Sequence, residues 1–401
     1  MSQSNDNLLS GQDIGQPNEL AVLYRGALLD DVIPFWESHS VDRECGGFFT
    51  CLDREGQVYD TDKFIWLQAR QVWMFATLCS CIEERQEWLD MALHGAGFLL
   101  DHGHDAEGRW YFSLNRQGTP LMQPYSIASD CFAAMGFSAL GRVTGDTEHK
   151  RIAIDTYDSV MRRLPNPKGQ YEKRVPGTRP LKPLGFAMGI FSLVTELEWL
   201  LEEDAVSAHY DMVTSEVLNT FLDTDYGVLR EHVAPDGSHV DSFEGRLIDC
   251  GHGIETLWLL MQVAERRGDR ESIDRAVDII ISTLEFGWDR EFGGLYCFMD
   301  IAGHPPQQLE WNQKLWWPHA ETLIALAMAW RLTGRDDCKA WYQRVHDYAW
   351  GHFPDPGHGE WFGYLDRRGE VLLNLKGGKW KGCFHVPRAL LRCYQEFSAM
   401  G

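Results

Sequence analysis

The sequence lacks most of the features that announce a location or a macromolecular partner. Met1–Pro17 is polar, with neither a basic start nor an apolar run, so no secretory signal is read there. The longest apolar stretches, such as Leu323–Trp330, fall far short of the roughly 20 residues a membrane span needs. A cytoplasmic protein with no membrane partner is expected. Basic residues are scarce: 37 Lys and Arg face 59 Asp and Glu, for a net charge of −22. Nucleic-acid binding needs clustered cations on phosphates, so that class is excluded, and an anionic bilayer is equally disfavoured. The acidic balance reads as a solvated surface. The 10 cysteines are scattered, apart from the Cys79/Cys81 pair, and form neither a disulfide framework nor a zinc spacing. Reduced thiols and no metal site are expected.

What the chain does contain is one unit written about six times, at steps of roughly 60 to 67 residues. An acidic turn, a glycine, an aromatic pair and a second turn lead into an apolar helix. The unit reads Asp42-Arg-Glu-Cys-Gly-Gly-Phe-Phe, then Asp53-Arg-Glu-Gly, then a helix from about Phe64. It returns from Asp105 with a helix from about Tyr125, from Asp223 with a helix from about Leu247, and from Asp289 with a helix from about Leu315. The last copy starts at Pro356 and leads to a helix from about Phe384; a degenerate copy ends in the apolar run Leu184–Leu201.

Several of these helices, Leu323-Ile-Ala-Leu-Ala-Met-Ala-Trp among them, are apolar on nearly every face and must be enclosed on all sides. Between them lie amphipathic stretches such as 269–286 and 336–352. Buried helices alternating with half-exposed ones predict an all-α fold, an (α/α)6 barrel with short β-hairpins in the loops at one mouth. A ring of this kind is one unit, so residues 1–19 are expected to be a polar tail and 20–401 a single catalytic domain.

In such a ring, polar residues in the first turns of the inner helices converge on one mouth, where helix N-termini favour developing negative charge. That filter selects Arg70 on the first inner helix, His252 and Glu255 on the fourth, Trp316, His319 and Glu321 on the fifth, and Lys381, His385 and Arg388 at the sixth. Taken singly, each has an ordinary explanation. His252 could be a hydrogen-bonded side chain between two glycines, and His385 a capping residue ahead of Pro387. The two glutamates could serve the helix dipole, and Arg70 could form a structural ion pair. Together on one rim they read as an active site, with the role of His319 left open. The 16 tryptophans, Trp66, Trp316 and Trp380 among them, add aromatic faces suited to a carbohydrate pocket, although core packing accounts for part of them. Lys376-Gly-Gly-Lys-Trp-Lys-Gly lacks the spacing of a phosphate loop and reads as a basic loop over the mouth.

These residues resemble the N-acylglucosamine 2-epimerase family. The similarity is carried by His358-Gly-Glu-Trp-Phe-Gly-Tyr-Leu-Asp, Lys376-Gly-Gly, Lys381-Gly-Cys-Phe-His-Val-Pro-Arg388, Asp249-Cys-Gly-His252-Gly-Ile-Glu, Trp316-Trp-Pro-His-Ala-Glu321 and Trp66-Leu-Gln-Ala-Arg70, over about residues 20–397. The resemblance implies interconversion of N-acetylglucosamine and N-acetylmannosamine on an (α/α)6 barrel, by a homodimer whose acid/base pair is His252 and His385, with Arg70 and Glu321 important beside them. Glu255, His319, Trp316, Trp380, Lys381 and Arg388 are then expected to bind the sugar. No cofactor is required, and ATP enters only as an allosteric activator implied by the resemblance. Cellobiose 2-epimerases and aldose–ketose isomerases share related histidines and remain alternatives. A glycoside hydrolase built on Glu255 and Glu321 and a binding protein without catalysis complete the set.

Overall fold

The computed structural model describes residues 15–175 and 177–401. The expected tail lies outside the described residues up to position 14, and a helix already begins at Pro17, inside the stretch expected to be tail. The chain is mostly helical, and its helices are of two kinds. Helices α1 (Pro17–Gly26), α2 (Ile33–His39), α4 (Gln86–His102), α6 (Thr147–Arg163), α8 (Glu203–Ser215), α10 (Arg270–Gly287) and α12 (Asp336–His352) bury one face. Helices α3 (Ile65–Cys81), α5 (Ala128–Thr144), α7 (Leu184–Leu197), α9 (Cys250–Arg267), α11 (Trp316–Thr333) and α13 (His385–Ser398) are buried along much of their length. α1 and α2 join through a wide turn over 27–32 and act as one element. The composition explains the split: α11 is Leu, Ile, Ala, Met and Trp on every side, so no face of it can meet water cheaply. The expected helix starts hold to within a residue or two, except at Tyr125 and Leu247, where the helices begin three residues later, at Ala128 and Cys250.

The buried helices pack in chain order, α3 on α5, α5 on α7, α7 on α9, α9 on α11 and α11 on α13. The series returns on itself where the Phe384 ring, just before α13, meets Trp73 of α3 at 5.2 Å and the Arg70 guanidinium at 4.3 Å. The short strands stitch neighbouring units together at the end where the buried helices begin. Lys63–Phe64, immediately before α3, pairs with Ser113–Leu114 of the next unit. Lys182–Pro183 pairs with His232–Val233, Leu247–Asp249 with Phe298–Asp300, and Lys314–Leu315 with Tyr364–Leu365.

A three-residue ion cluster repeats at these seams. Asp42 takes Lys63 at 2.9 Å and Arg116 of the following hairpin at 2.9 Å. Asp289 takes Lys314 at 3.2 Å and Arg367 at 2.9 Å. Asp355 takes Lys376 at 3.0 Å and, at 2.7 Å, Arg54 from the first unit. The third cluster therefore joins the last copy of the unit to the first. Each buried carboxylate is matched by two cations, which offsets the desolvation that an isolated charge would suffer. All 10 cysteines are free thiols, most of them buried. No described helix is long and apolar enough to cross a membrane.

Candidate active site

The starts of α3, α9, α11 and α13 bring Arg70, His252, Glu255, Glu321, His385 and Arg388 together. His385, the first residue of α13, is 8% exposed. Its Nδ1 lies 2.7 Å from Glu321 Oε1, and its Nε2 lies 3.4 Å from an Arg70 nitrogen. Glu321, which only accepts, is closer to Nδ1 than Arg388 at 3.4 Å, so Nδ1 carries the proton and Nε2 presents a lone pair to Arg70, which only donates. Glu321 is completely buried and also accepts from Trp258 Nε1 at 2.9 Å and from Arg388 at 2.7 Å. Arg388 bonds Glu255 as well, so one guanidinium bridges the two glutamates. Burial, and then the charges of Arg70 and Arg388, hold the His385 imidazole well below its usual value.

Arg70 has no carboxylate within ion-pair distance among the described residues, which corrects the structural ion pair considered for it. Its guanidinium lies between the rings of Phe132 at 3.9 Å, Phe384 at 4.3 Å and Trp66 at 4.5 Å, and its Nε is buried without a hydrogen bond. Burial lowers it to about 9, so it remains a cation at neutral pH. A charge held this way, touching the imidazole but neutralised by no acid, suits an anion that is present only during reaction.

His252 stands in a different setting. The Asp249 side chain caps α9 by accepting from the His252 backbone N–H at 3.0 Å, while its other oxygen lies 3.3 Å from His252 Nδ1. Glu231 Oε2 is 3.1 Å from the same nitrogen. Burial alone would lower this imidazole, but the charges of Asp249 and Glu231 outweigh it and push it up to about 10. Trp317 neighbours both histidines, its ring 5.3 Å from His252 and 5.9 Å from His385. Gly251 makes room for it, since a Cβ there would fall 2.4 Å from the Trp317 ring. The two clusters Glu231–Asp249–His252 and Glu255–Glu321–His385 each have the residue types of a cation site. In the second, however, Arg388 already supplies the positive charge.

Trp316 packs edge-on to His385 at 6.4 Å. Trp380 is 53% exposed and leans on Trp66 at 5.9 Å. The two rings wall a pocket of about 250 Å³ beside Arg70, with Phe112, Tyr125 and Phe132 on its other sides.

The structure moves two expected sugar-binding residues out of the site. His319 is fully buried, its Nδ1–H donating to the Leu315 carbonyl at 2.7 Å and its Nε2 accepting from the Leu295 N–H at 2.9 Å. Burial lowers it to about 3. Both nitrogens are spent on backbone, so it fastens the neighbouring hairpin to α11. Lys381 is likewise buried, donating to Glu360 at 2.9 Å and to the Lys376 carbonyl at 2.8 Å. It pins the basic loop from below and does not reach the mouth. Sequence reasoning missed Glu231, and Trp317 stood out only as one of the tryptophans near the helix starts. Asp249 was legible, since an Asp three residues before His252 at a helix start is a capping signal. Glu231 carries none, because it sits between repeat elements and arrives only through the pairing of His232 with Pro183.

The family model described as N-acylglucosamine 2-epimerase (GlcNAc 2-epimerase) matches residues 47–389. The chain belongs to the N-acylglucosamine 2-epimerase family. It is 39% identical over 383 residues to the N-acylglucosamine 2-epimerase of Rattus norvegicus, covering 94% of this chain and 91% of that protein. Identity falls to 25% over 388 residues with the cellobiose 2-epimerase of Bacteroides fragilis, covering 91% and 96%. Among solved structures, the cellobiose 2-epimerase of Bacillus thermoamylovorans superposes with a TM-score of 0.81 at 19% identity, covering 94% of this chain and 99% of that one. That likeness speaks for the fold alone.

Proposed function

We propose that the protein interconverts N-acetyl-D-glucosamine and N-acetyl-D-mannosamine by moving a proton at C2 of the open-chain sugar, with His252 and His385 as the transfer pair. The observation that carries this is the pair itself: two imidazoles that share Trp317 as a neighbour, one between carboxylates and the other beside Arg70. Opening the sugar exposes an aldehyde, and loss of the C2 proton then gives an enolate. One histidine takes that proton from one face, the other returns a proton from the opposite face, and C2 is inverted. Arg70 faces the enolate oxygen. Glu321 orients His385, Glu255 and Arg388 hold Glu321 in place, and Trp316 and Trp380 flank the sugar. Each step is a proton transfer between carbon and nitrogen, so no cofactor or metal enters it.

Family membership and the higher identity to N-acylglucosamine 2-epimerases support the acetamido sugar over cellobiose or an aldose–ketose exchange. A glycoside hydrolase needs two carboxylates straddling the bond it cuts. Glu255 and Glu321 are instead tied to one another by Arg388. The helix succession supports an (α/α)6 barrel acting as a single catalytic domain over residues 20–401, the free thiols support a cytoplasmic setting, and the family resemblance supports a homodimer. What supports nucleotide activation is a cleft of about 340 Å³ lined by Arg109, Arg162 and Lys168 in an otherwise acidic molecule. Incubation with N-acetylmannosamine in heavy water, followed by NMR at C2, tests the main reading. Deuterium at C2 with formation of N-acetylglucosamine is expected, and an unchanged sugar refutes it.

A further inference from the structure

We propose that Glu231, together with Asp249, is a positioning residue that keeps His252 in its cationic form, so that the protein meets its sugar with His385 as proton acceptor and His252 as proton donor. The inference rests on the two-histidine reading and gives each histidine a different resting task.

The geometry is unequal at the two corners. Glu231 is 8% exposed and its backbone is fixed on both sides, its N–H bonding the Leu247 carbonyl at 3.0 Å and its carbonyl accepting from Leu184 N–H at 2.9 Å. Its carboxylate and that of Asp249 both converge on His252 Nδ1, and neither has a Lys or Arg partner among the described residues. Two buried carboxylates with no cation beside them are costly, and a charged imidazole between them removes most of that cost. At the other corner the acids are balanced by cations. Glu321 is already matched by Arg388, and Arg70 adds a second positive charge directly against His385 Nε2. A proton on that nitrogen would face a guanidinium.

The groups that face His252 are Asp249 at its helix cap, Glu231 from the preceding segment, Glu255 one turn along α9, and His385, which shares Trp317 as a neighbour, with Arg70 and Arg388 behind it. The nearest three are acids. Their field raises His252, whereas burial first, and then the charges of Arg70 and Arg388, lower His385.

His385 Nε2 takes the C2 proton, the C–H electron pair forms the C1–C2 double bond, and the carbonyl electrons move onto O1 beside Arg70. His252 Nε2, which has no hydrogen-bond partner among the described residues, gives its proton to the opposite face of C2 as the O1 electrons return. His385 ends cationic and His252 neutral, and exchange of one proton each with water restores the starting form.

Glu231→Gln keeps the shape and removes the charge, and it separates this role from packing. Epimerisation is expected to fall by about 10²- to 10⁴-fold, the range for loss of one acid–base partner. Exchange of the C2 hydrogen with heavy water is expected to persist for the one epimer whose proton faces His385. The alkaline limb of the wild-type epimerisation profile should move to lower pH in the residual activity. Parallel loss of exchange and epimerisation with the limb unmoved would make Glu231 merely structural and overturn the proposal, as would unchanged epimerisation. Should Glu231→Gln not fold, Asp249→Asn carries the same two readouts. Failure of the underlying reading is seen separately, because the wild-type protein would then exchange C2 of neither epimer.

Discussion

His319 and His385 sit at the starts of neighbouring buried helices, and both are nearly or wholly shut off from water. One is chemically finished and the other is not. Both nitrogens of His319 are occupied by backbone, at 2.7 and 2.9 Å, and Tyr348 stacks on its ring at 5.3 Å. His385 spends one nitrogen on Glu321 and turns the other toward a cation that cannot accept its proton. The repeat thus delivers a histidine to the same place on the ring more than once, and the partners decide whether it is a fastener or a reagent.

The sharpest way to break this contrast is to remove each ring. His385→Ala and His252→Ala should each reduce epimerisation to background, a loss of about 10²- to 10⁴-fold for each acid–base group, read by coupled assay or NMR. His319→Gln should leave turnover per folded molecule within about twofold. An active His385→Ala or a dead but folded His319→Gln would reverse the assignment of the two sites.

Arg70 comes next in size. Arg70→Ala takes away the one cation at His385 that no carboxylate neutralises, and should lower kcat by about 10²- to 10³-fold with little change in KM, as loss of an oxyanion donor does. If the change appeared in KM alone, Arg70 would be gripping the ground-state sugar.

The same contrast shows how much the sequence revealed. The repeat, the two kinds of helix and the convergence of first turns were legible because hydrophobic period and turn residues are local signals. His252, His385, Glu255, Glu321, Arg70 and Arg388 followed from them. His319 and Lys381 obeyed the same pattern and misled, since a helix-start position does not show whether a neighbouring hairpin has already claimed the side chain. Glu231 was invisible for the opposite reason, and Trp317 was visible only as a ring among many. Glu231 reaches His252 through strand pairing, which has no periodic trace, and Trp317 is one aromatic residue in a chain rich in them. The ion clusters were half visible: the Asp-Arg turns stood in the repeat, but the reach of Arg54 to Asp355 across the ends of the chain needed the fold.

His319 also predicts a stability effect with a definite sign. Its folded-state value of about 3 lies below the ordinary 6.5, so the unfolded chain binds more protons between those values and stability rises with pH there. The His319 contribution is complete above about pH 6.5 and is lost as pH falls toward 3. His319→Gln should lower Tm at neutral pH, at a cost of about 1–3 kcal/mol if the Leu295 N–H loses its acceptor. It should also flatten the acid side of the Tm-versus-pH curve relative to wild type. An equally steep curve in the variant would place the acid sensitivity elsewhere, with His385 the next group to test, since it too is held below its ordinary value.

Trp380 should give the smallest effect, and it tests the outer edge of the same site. Unlike Trp316, which is buried against His385, Trp380 is half exposed and touches neither histidine, meeting instead Trp66 and Phe112 at 5.9 and 6.5 Å. A ring in that position contributes contact area to a sugar but no charge to the transition state, so its loss weakens binding equally before and during reaction. Trp380→Ala should therefore raise KM for N-acetylmannosamine by about tenfold, equivalent to about 1.4 kcal/mol, with kcat nearly unchanged. A fall in kcat with constant KM would mean that Trp380 reaches the reacting carbon. The aromatic rim and the charged floor would then be one device, and the division between them drawn from the ring distances would not hold.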